Sequence, residues 1–358
     1  MMLFLPFVMT FIYAPSLERF QHKKGQNREK KVILLCGVMV AICCASLGAF
    51  APQSQPFAMM SVLLLAMFFL ASAEIIYNGV TIDNLDKKGL IENGTLRLLM
   101  NFSAGIIATS GMLWLLQILG QTSYWLMGAC LLLLALTIVW LPPVSNHKDG
   151  DNAPSILKSL KNKNVQQGLV FSLVISLTLR LPFSQLSPLM IDSGFEIEDV
   201  AFWGGVGSCI LGMVGSVVAV WAYQHFPTQK VMLLVFVFYV FGFLGFLANI
   251  FYFQSILMLG IIFSITMAVM SVLYVGIFSV WMHWCSGEGS ASNYALLKSC
   301  DYFIFILSSF VSGFIVEMGR EINLFGNVLG GYASLFMLSL CLLILALWLI
   351  IPRLLKNI

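Results

Sequence analysis

The sequence predicts an all-α protein that crosses a lipid membrane many times, and three observations lead to that class. Hydrophobic residues make up 59% of the chain, charged residues only 10%, and the mean hydropathy is +0.93. The apolar residues occur in long runs bounded by charged residues, glycine or proline. The basic residues lie mainly in alternate loops between these runs. Together these features exclude a soluble globular domain, and no nucleic-acid partner is expected.

Eleven apolar runs are candidate membrane spans, because about 20 residues cross the hydrocarbon core of a bilayer as a helix. In chain order they cover residues 1–15, 32–52, 57–78, 98–119, 123–141, 165–191, 200–223, 231–253, 255–284, 293–318 and 330–351. The first run is shorter than a full crossing, and it lacks the basic start and cleavage site of a signal peptide. We therefore expect a helix to be missing upstream, through either a misplaced start or a truncated gene.

The positions of the basic residues predict the orientation of the chain. Sixteen of the 19 Lys and Arg residues fall in alternate loops or in the tail after the last span. Short cytoplasmic loops retain such residues, so these loops and the C-terminus are predicted to be cytoplasmic. Arg320 is the one basic residue on the other side, and Arg97 and Arg180 lie in the membrane or at its edge.

A polar stretch over residues 142–164, with two adjacent prolines at its start, divides the spans into five before it and six after it. It predicts three regions. Residues 1–141 form an N-terminal helical bundle that lacks its first helix, residues 142–164 a cytoplasmic linker, and residues 165–358 a C-terminal helical bundle. Restoring the upstream helix would give six spans in each bundle.

Several motifs resemble those of a transporter family. Residues 14–20 (APSLERF) and the basic cluster after them resemble the loop between helices two and three of the major facilitator superfamily, with Glu18 in place of the usual Asp. Residues 73–79 (AEIIYNG) and 93–97 (NGTLR) are similar to the fourth and fifth helices of its muropeptide permease branch. Residues 281–285 (WMHWC) and 292–297 (SNYALL) resemble the related siderophore permeases of the rhizobactin and pyochelin type.

This resemblance implies a major facilitator fold, with about five plus six helices here where six plus six are expected. It implies a monomeric secondary transporter of the bacterial inner membrane that imports a siderophore or similar small anionic compound together with protons, by alternating access. A muropeptide permease, a drug or metabolite exporter and an inactive truncated transporter are the alternatives. The sequence contains no Gly-x4-Gly-Lys-Ser/Thr phosphate-binding loop, so transport powered directly by ATP hydrolysis is not expected. An enzyme would need clustered His, Asp or Ser side chains at one membrane surface, and the predicted loops contain no such cluster. Catalysis is therefore not expected, and neither is a cofactor or a metal.

Arg180 is the strongest candidate for a substrate-binding residue. It lies roughly 17 Å along a helix from Leu169, near the middle of the bilayer, where a cation costs about 3 kcal/mol or more. A guanidinium there could anchor an anionic substrate, with Gln185 about one turn further along and Tyr274 in an aromatic run. The alternatives are a structural ion pair and a side chain that extends toward the membrane surface.

A second set of charged residues is predicted to gate the pathway or to carry protons. Glu74 and Arg97 lie near the cytoplasmic ends of their spans and could form a salt-bridge network with Glu18 and Arg19. Glu74 could instead carry a proton, because a carboxyl group inside a membrane is functional by default. Asp301 is a second candidate proton carrier, unless Lys298 neutralises it.

Overall fold

The computed structural model describes residues 2–22, 28–50, 54–140, 156–196, 199–200, 202–287, 289–322 and 329–355. Within these ranges the chain is helical, with no strand. The longer helices are α1 Thr10–His22, α2 Arg28–Ser46, α3 Pro56–Asn84, α4 Lys87–Ile106, α5 Met112–Leu119, α6 Thr122–Leu136, α7 Lys163–Ile175, α8 Leu186–Asp192, α9 Ser208–His225, α10 Thr228–Ala248, α11 Ile256–Trp284, α12 Ser290–Glu321 and α13 Gly330–Leu349. Short helices cover Leu5–Val8, Ile156–Lys161, Leu181–Phe183 and Ile351–Leu355, and 3₁₀ turns cover Met2–Phe4, Leu47–Ala49 and Thr137–Trp140. Single π-helical turns cover Ile107–Gly111, Ser176–Arg180, Phe202–Gly207 and Asn249–Phe253.

The all-α, multi-pass prediction is confirmed. In the described part of the chain, nine helical segments are long and apolar enough to cross a membrane, and each coincides with one of the predicted runs. The other two runs are also helical. Residues 1–15 contain the short Leu5–Val8 helix and the start of α1, and residues 98–119 pass through α4, a π-helical turn and α5.

Contacts between helices divide the chain into two units. Unit 1 comprises Met1–Asp86, Gly111–Gly168 and Trp281–Tyr302, and unit 2 comprises Lys87–Ser110, Leu169–Val280 and Phe303–Ile358. The units follow helix packing and not chain order, so α4 belongs to unit 2 and the first turns of α12 to unit 1. The bundle boundaries expected at residues 141 and 165 stay a prediction.

Unit 1 is built around α2, which packs against α3 and α6. Small residues allow the close approach of α2 and α6. A Cβ added at Gly128 would lie 2.6 Å from the Cβ of Ala45, and one added at Gly37 would lie 2.9 Å from the Cβ of Ala135. Without a hydrophobic driving force between helices in lipid, such close van der Waals packing is a main source of helix association.

Unit 2 contains two tightly packed helix pairs. Helix α4 packs against α9, where the ring of Phe102 lies over Gly212, so that an added Cβ would lie 2.5 Å from the ring. Helix α10 packs against α13 through aromatic side chains, and the rings of Phe246 and Phe336 stack with their centroids 4.9 Å apart. Arg320 of α12 forms an ion pair with Asp192 of α8.

We expect Gly215→Ala to destabilise unit 2 strongly. A Cβ added at Gly215 of α9 would lie far inside van der Waals contact with the carbonyl oxygen of Ala268 in α11, so one helix backbone must move. Overpacking of this kind typically costs about 1–3 kcal/mol, and the thermal unfolding midpoint of the detergent-solubilised protein should fall by several degrees. Gly204→Ala is the matched control, because an added Cβ there meets open space. Equal midpoints for the two variants would contradict the close packing of α9 and α11.

Candidate functional site

Arg180 lies where its helix is irregular. It is the last residue of the Ser176–Arg180 π-helical turn, which follows α7 and precedes the short Leu181–Phe183 helix with Pro182 at its start. Only 8% of the residue is exposed. Its Nε donates a hydrogen bond of 3.0 Å to the hydroxyl oxygen of Tyr274 on α11. The structure thus brings together two of the three residues predicted to bind substrate.

Aromatic rings flank the guanidinium of Arg180. Its Cζ lies 5.5 Å from the ring centroid of Tyr274 and 5.7 Å from that of Phe305 on α12. Both distances fall within the range of cation–π attraction, which is strongest where water is excluded. Phe305 was not selected from the sequence, because a phenylalanine in an apolar span carries no signal that separates it from a lipid-facing one.

Arg97 extends this arrangement along α11. Its Cζ lies 5.2 Å from the ring centroid of Phe278, and Phe278 in turn stacks on Tyr274 with centroids 5.9 Å apart. Tyr274 and Phe278 are four residues apart and therefore share one face of their helix. Two arginines of unit 2 thus lie at opposite ends of an aromatic pair. The four-residue spacing of the two rings was visible in the sequence. The sequence did not show that Arg97 lies beside one ring and Arg180 beside the other.

Gln185, the third predicted substrate residue, contacts a different helix. Its Nε2 donates a hydrogen bond of 2.9 Å to the hydroxyl of Ser312 on α12. The hydroxyl of Ser184 lies 2.6 Å from the same oxygen. These bonds connect the irregular segment between α7 and α8 to the C-terminal half of α12, in the same unit as Arg180.

In unit 1, Glu74 of α3 forms an ion pair with Lys298 of α12. The two side chains are only 17% and 11% exposed, so the pair is largely withdrawn from solvent. The Nζ of Lys298 also lies 5.4 Å from the ring centroid of Tyr302. Asp301, the other predicted proton carrier, is 5% exposed and lies one turn along α12 from Lys298. The structure therefore pairs one candidate proton carrier, Glu74, with Lys298, and the other, Asp301, lies three residues further along the same helix.

A small cavity adjoins this ion pair. It has a volume of about 10 Å³, and its walls include Thr10, Glu74, Asn78 and Lys298. A cavity needs about 10–15 Å³ and two to four polar partners to hold a water molecule. The cavity is therefore of the size and polarity that suit a single bridging water.

Glu18 of α1 binds the start of α12. It is 2% exposed, and its carboxylate accepts hydrogen bonds from the backbone N–H groups of Ala291 at 3.3 Å and Ser292 at 3.0 Å, and from the Ser292 hydroxyl. A carboxylate is favoured there, because the first N–H groups of a helix lack partners within it and its N-terminus carries partial positive charge. Arg19 is exposed.

Two more hydrogen bonds reinforce the contact of α1 and α3 with the first turns of α12. The hydroxyls of Thr10 and Ser299 lie 2.6 Å apart, and the Ser290 hydroxyl donates to a carboxylate oxygen of Asp83 at 2.8 Å. Sequence reasoning selected none of these four residues. The serines at positions 290 and 292, just before a span, were the available signal, since serine is favoured where helices begin.

Comparison with known proteins identifies the family of the chain and proteins of similar fold. The Major Facilitator Superfamily model matches residues 1–283. The structure is similar to that of the E. coli fucose:proton symporter FucP, with a TM-score of 0.67, 14% identity, and coverage of 96% of this chain and 89% of that one. The human organic anion transporter MFSD10 (TETRAN) gives a TM-score of 0.62, 15% identity, and coverage of 96% and 82%. A bacterial homologue of the iron transporter ferroportin, in an outward-facing state with soaked iron, is also similar. Its TM-score is 0.67 and its identity 12%, and the match covers 98% of this chain and 88% of that one. Among curated proteins, none matches this chain.

Proposed function

The chain belongs to the major facilitator superfamily, and from that premise we propose that it imports a siderophore or similar small anionic compound together with protons. Members of this superfamily are secondary transporters and not enzymes, and the chain is a multi-pass membrane protein. The proposed location is the bacterial inner membrane, with a cytoplasmic C-terminus, a monomeric state and transport by alternating access between two helical bundles.

The buried guanidinium of Arg180 is the observation on which the substrate class rests. Arginine binds carboxylates through two parallel hydrogen bonds, and its charge is retained even when it is buried. The rings of Tyr274 and Phe305 beside it offer flat apolar surfaces, which suit a compound that combines a carboxylate with an aromatic chelating group. Gln185 would contribute an amide to the same region. The resemblance of residues 281–285 and 292–297 to siderophore permeases supports this choice over a muropeptide.

Proton coupling is proposed for the ion pair of Glu74 and Lys298. Protonation of Glu74 would remove the attraction that holds α3 to α12, so that proton binding and helix separation would be linked. Asp301 lies three residues from Lys298 on α12, about one helical turn, and we propose it as the second proton carrier. A transporter of the same fold, FucP, is a fucose:proton symporter, which agrees with a proton as the coupling ion.

Gating is proposed for the contact of α1 and α3 with the first turns of α12. Glu18 and Glu74 each bind α12 through charge-assisted bonds, which are about twice as strong as neutral ones. In the proposed cycle these contacts would form and break once as the transporter alternates. Arg19 and Arg97 remain proposed members of this gating set.

Uptake of radiolabelled ferric siderophores tests the proposed substrate. The chain would be expressed in iron-starved cells that lack their own inner-membrane siderophore permeases, with a labelled muropeptide as the competing substrate. We expect uptake of siderophores that bear a carboxylate and an aromatic chelating group, and its loss when a protonophore is added. Uptake of the muropeptide alone would support the alternative permease. The absence of all uptake despite good membrane expression would support an inactive transporter.

A further inference from the structure

A long apolar groove runs along the outer surface of unit 2, between α9, α10 and α11. Its volume is about 450 Å³, which lies within the range of about 300–1,000 Å³ that holds small-molecule ligands. Gly215 and Ala268 line it at the point where α9 and α11 approach closely. Val218 and Leu234 form parts of its walls, and they are 47% and 57% exposed. The groove thus opens toward the surrounding lipid.

One end of the groove is chemically different from the rest. Among the described residues that line it, only Lys230 is charged, and Lys230 is exposed at the start of α10. Trp221 lies at the same end of α9 and is 57% exposed, with the ring of His225 5.3 Å from its own. Tryptophan and lysine are typical of the depth at which lipid headgroups lie.

We propose that this groove binds one acyl chain of an anionic phospholipid, with the headgroup phosphate held by Lys230. The positive-inside rule predicts that the turn between α9 and α10 is cytoplasmic, where anionic lipids attract basic residues close to the membrane surface. A single positive charge at the mouth of an otherwise apolar groove matches a single negative phosphate above an apolar tail. This site is separate from Arg180 and from the Glu74 ion pair, and it does not depend on the transported compound.

The expected preference is modest. Lipid tails are as apolar as the groove, so the acyl chain gains packing but no hydrophobic transfer energy when it enters. Discrimination between lipids therefore comes from the charge of Lys230. One basic residue at an anionic membrane surface gives a preference of about five-fold.

Quenching of Trp221 by brominated lipids tests the site. The purified chain would be placed in phosphatidylcholine nanodiscs with increasing fractions of brominated phosphatidylglycerol or brominated phosphatidylcholine, and the signal of a Trp221→Phe variant would be subtracted. We expect brominated phosphatidylglycerol to quench Trp221 at about a five-fold lower fraction. Lys230→Gln should remove this preference, whereas Lys163→Gln, which removes another exposed lysine, should leave it unchanged.

A second pair of variants tests the groove itself. Val218→Phe fills the groove and should weaken quenching by both lipids. Val217→Phe should not, because Val217 is 58% exposed on the same helix but does not line the groove. The proposal is overturned if Lys230→Gln keeps the preference or if the two phenylalanine variants behave alike. It is also overturned if Val218→Phe changes the oligomeric state in light scattering while no lipid preference exists, because a second copy of the chain would then be the occupant.

Discussion

Arg180→Ala is expected to reduce uptake of the anionic substrate by about 10- to 100-fold at equal membrane expression. Loss of a hydrogen bond to a charged group typically costs about 1.5–3 kcal/mol, and each 1.36 kcal/mol is a factor of ten. Arg180→Lys should give an intermediate rate, because lysine keeps the charge but loses the planar pair of donors that matches a carboxylate. Initial uptake rates in cells expressing each variant, corrected for the amount of protein in the membrane, measure the effect.

Tyr274→Phe separates substrate binding by Arg180 from a structural role. This variant removes the hydroxyl that accepts the Arg180 hydrogen bond but leaves the guanidinium and the aromatic ring in place. If Arg180 binds substrate, Tyr274→Phe should keep most of the transport of the unmodified chain. If Arg180 acts only through its hydrogen bond to α11, the tyrosine variant should be as defective as Arg180→Ala and should lose as much thermal stability.

Lys298→Met is expected to destabilise unit 1 strongly. Removal of one partner of a buried ion pair leaves the other charge without compensation and typically costs about 3–5 kcal/mol, whereas replacement of both partners is often neutral. The double variant Glu74→Gln with Lys298→Met should therefore recover most of the thermal stability that the single variant loses. Melting midpoints of the two single variants and the double variant in the same detergent measure the coupling between the two residues. If the double variant instead loses as much stability as the two single variants added together, the ion pair contributes little to stability.

Transport by Glu74→Gln tests the same pair for proton coupling. A glutamine cannot carry a proton, so we expect exchange of labelled for unlabelled substrate to continue while accumulation against a gradient is lost. Asp301→Asn serves as the comparison, because Asp301 is the other proposed proton carrier. Unchanged accumulation by Glu74→Gln would exclude Glu74 from the coupling mechanism.

The fold was predictable because membrane spans are encoded locally. An apolar run must satisfy its own backbone hydrogen bonds in lipid, so its length and its flanking charges suffice to locate a helix. For example, the apolar run over residues 57–78 predicted most of α3. The π-helical turn at Ser176–Arg180 was less visible, because the extra residue in such a turn leaves the composition of the span unchanged.

Residues of the candidate site could be selected from the sequence one at a time but not as pairs. Arg180 and Glu74 were selected because a charge inside an apolar run is costly wherever it lies. Their partners lie 94 and 224 residues away along the chain, at Tyr274 and Lys298, and nothing local in the sequence links them. For Glu74, the nearby Arg97 was the natural candidate, and Lys298 entered only as a neighbour of Asp301.

Proton-driven accumulation in proteoliposomes tests the central claim most directly. The purified chain would be reconstituted in liposomes with an alkaline interior, and labelled ferric siderophore would be added outside. We predict accumulation above the external concentration that disappears when a protonophore is added and is about 10- to 100-fold slower with Arg180→Ala. Equal equilibration with and without the pH gradient, together with unchanged uptake by Arg180→Ala, would contradict both the proton coupling and the role of Arg180.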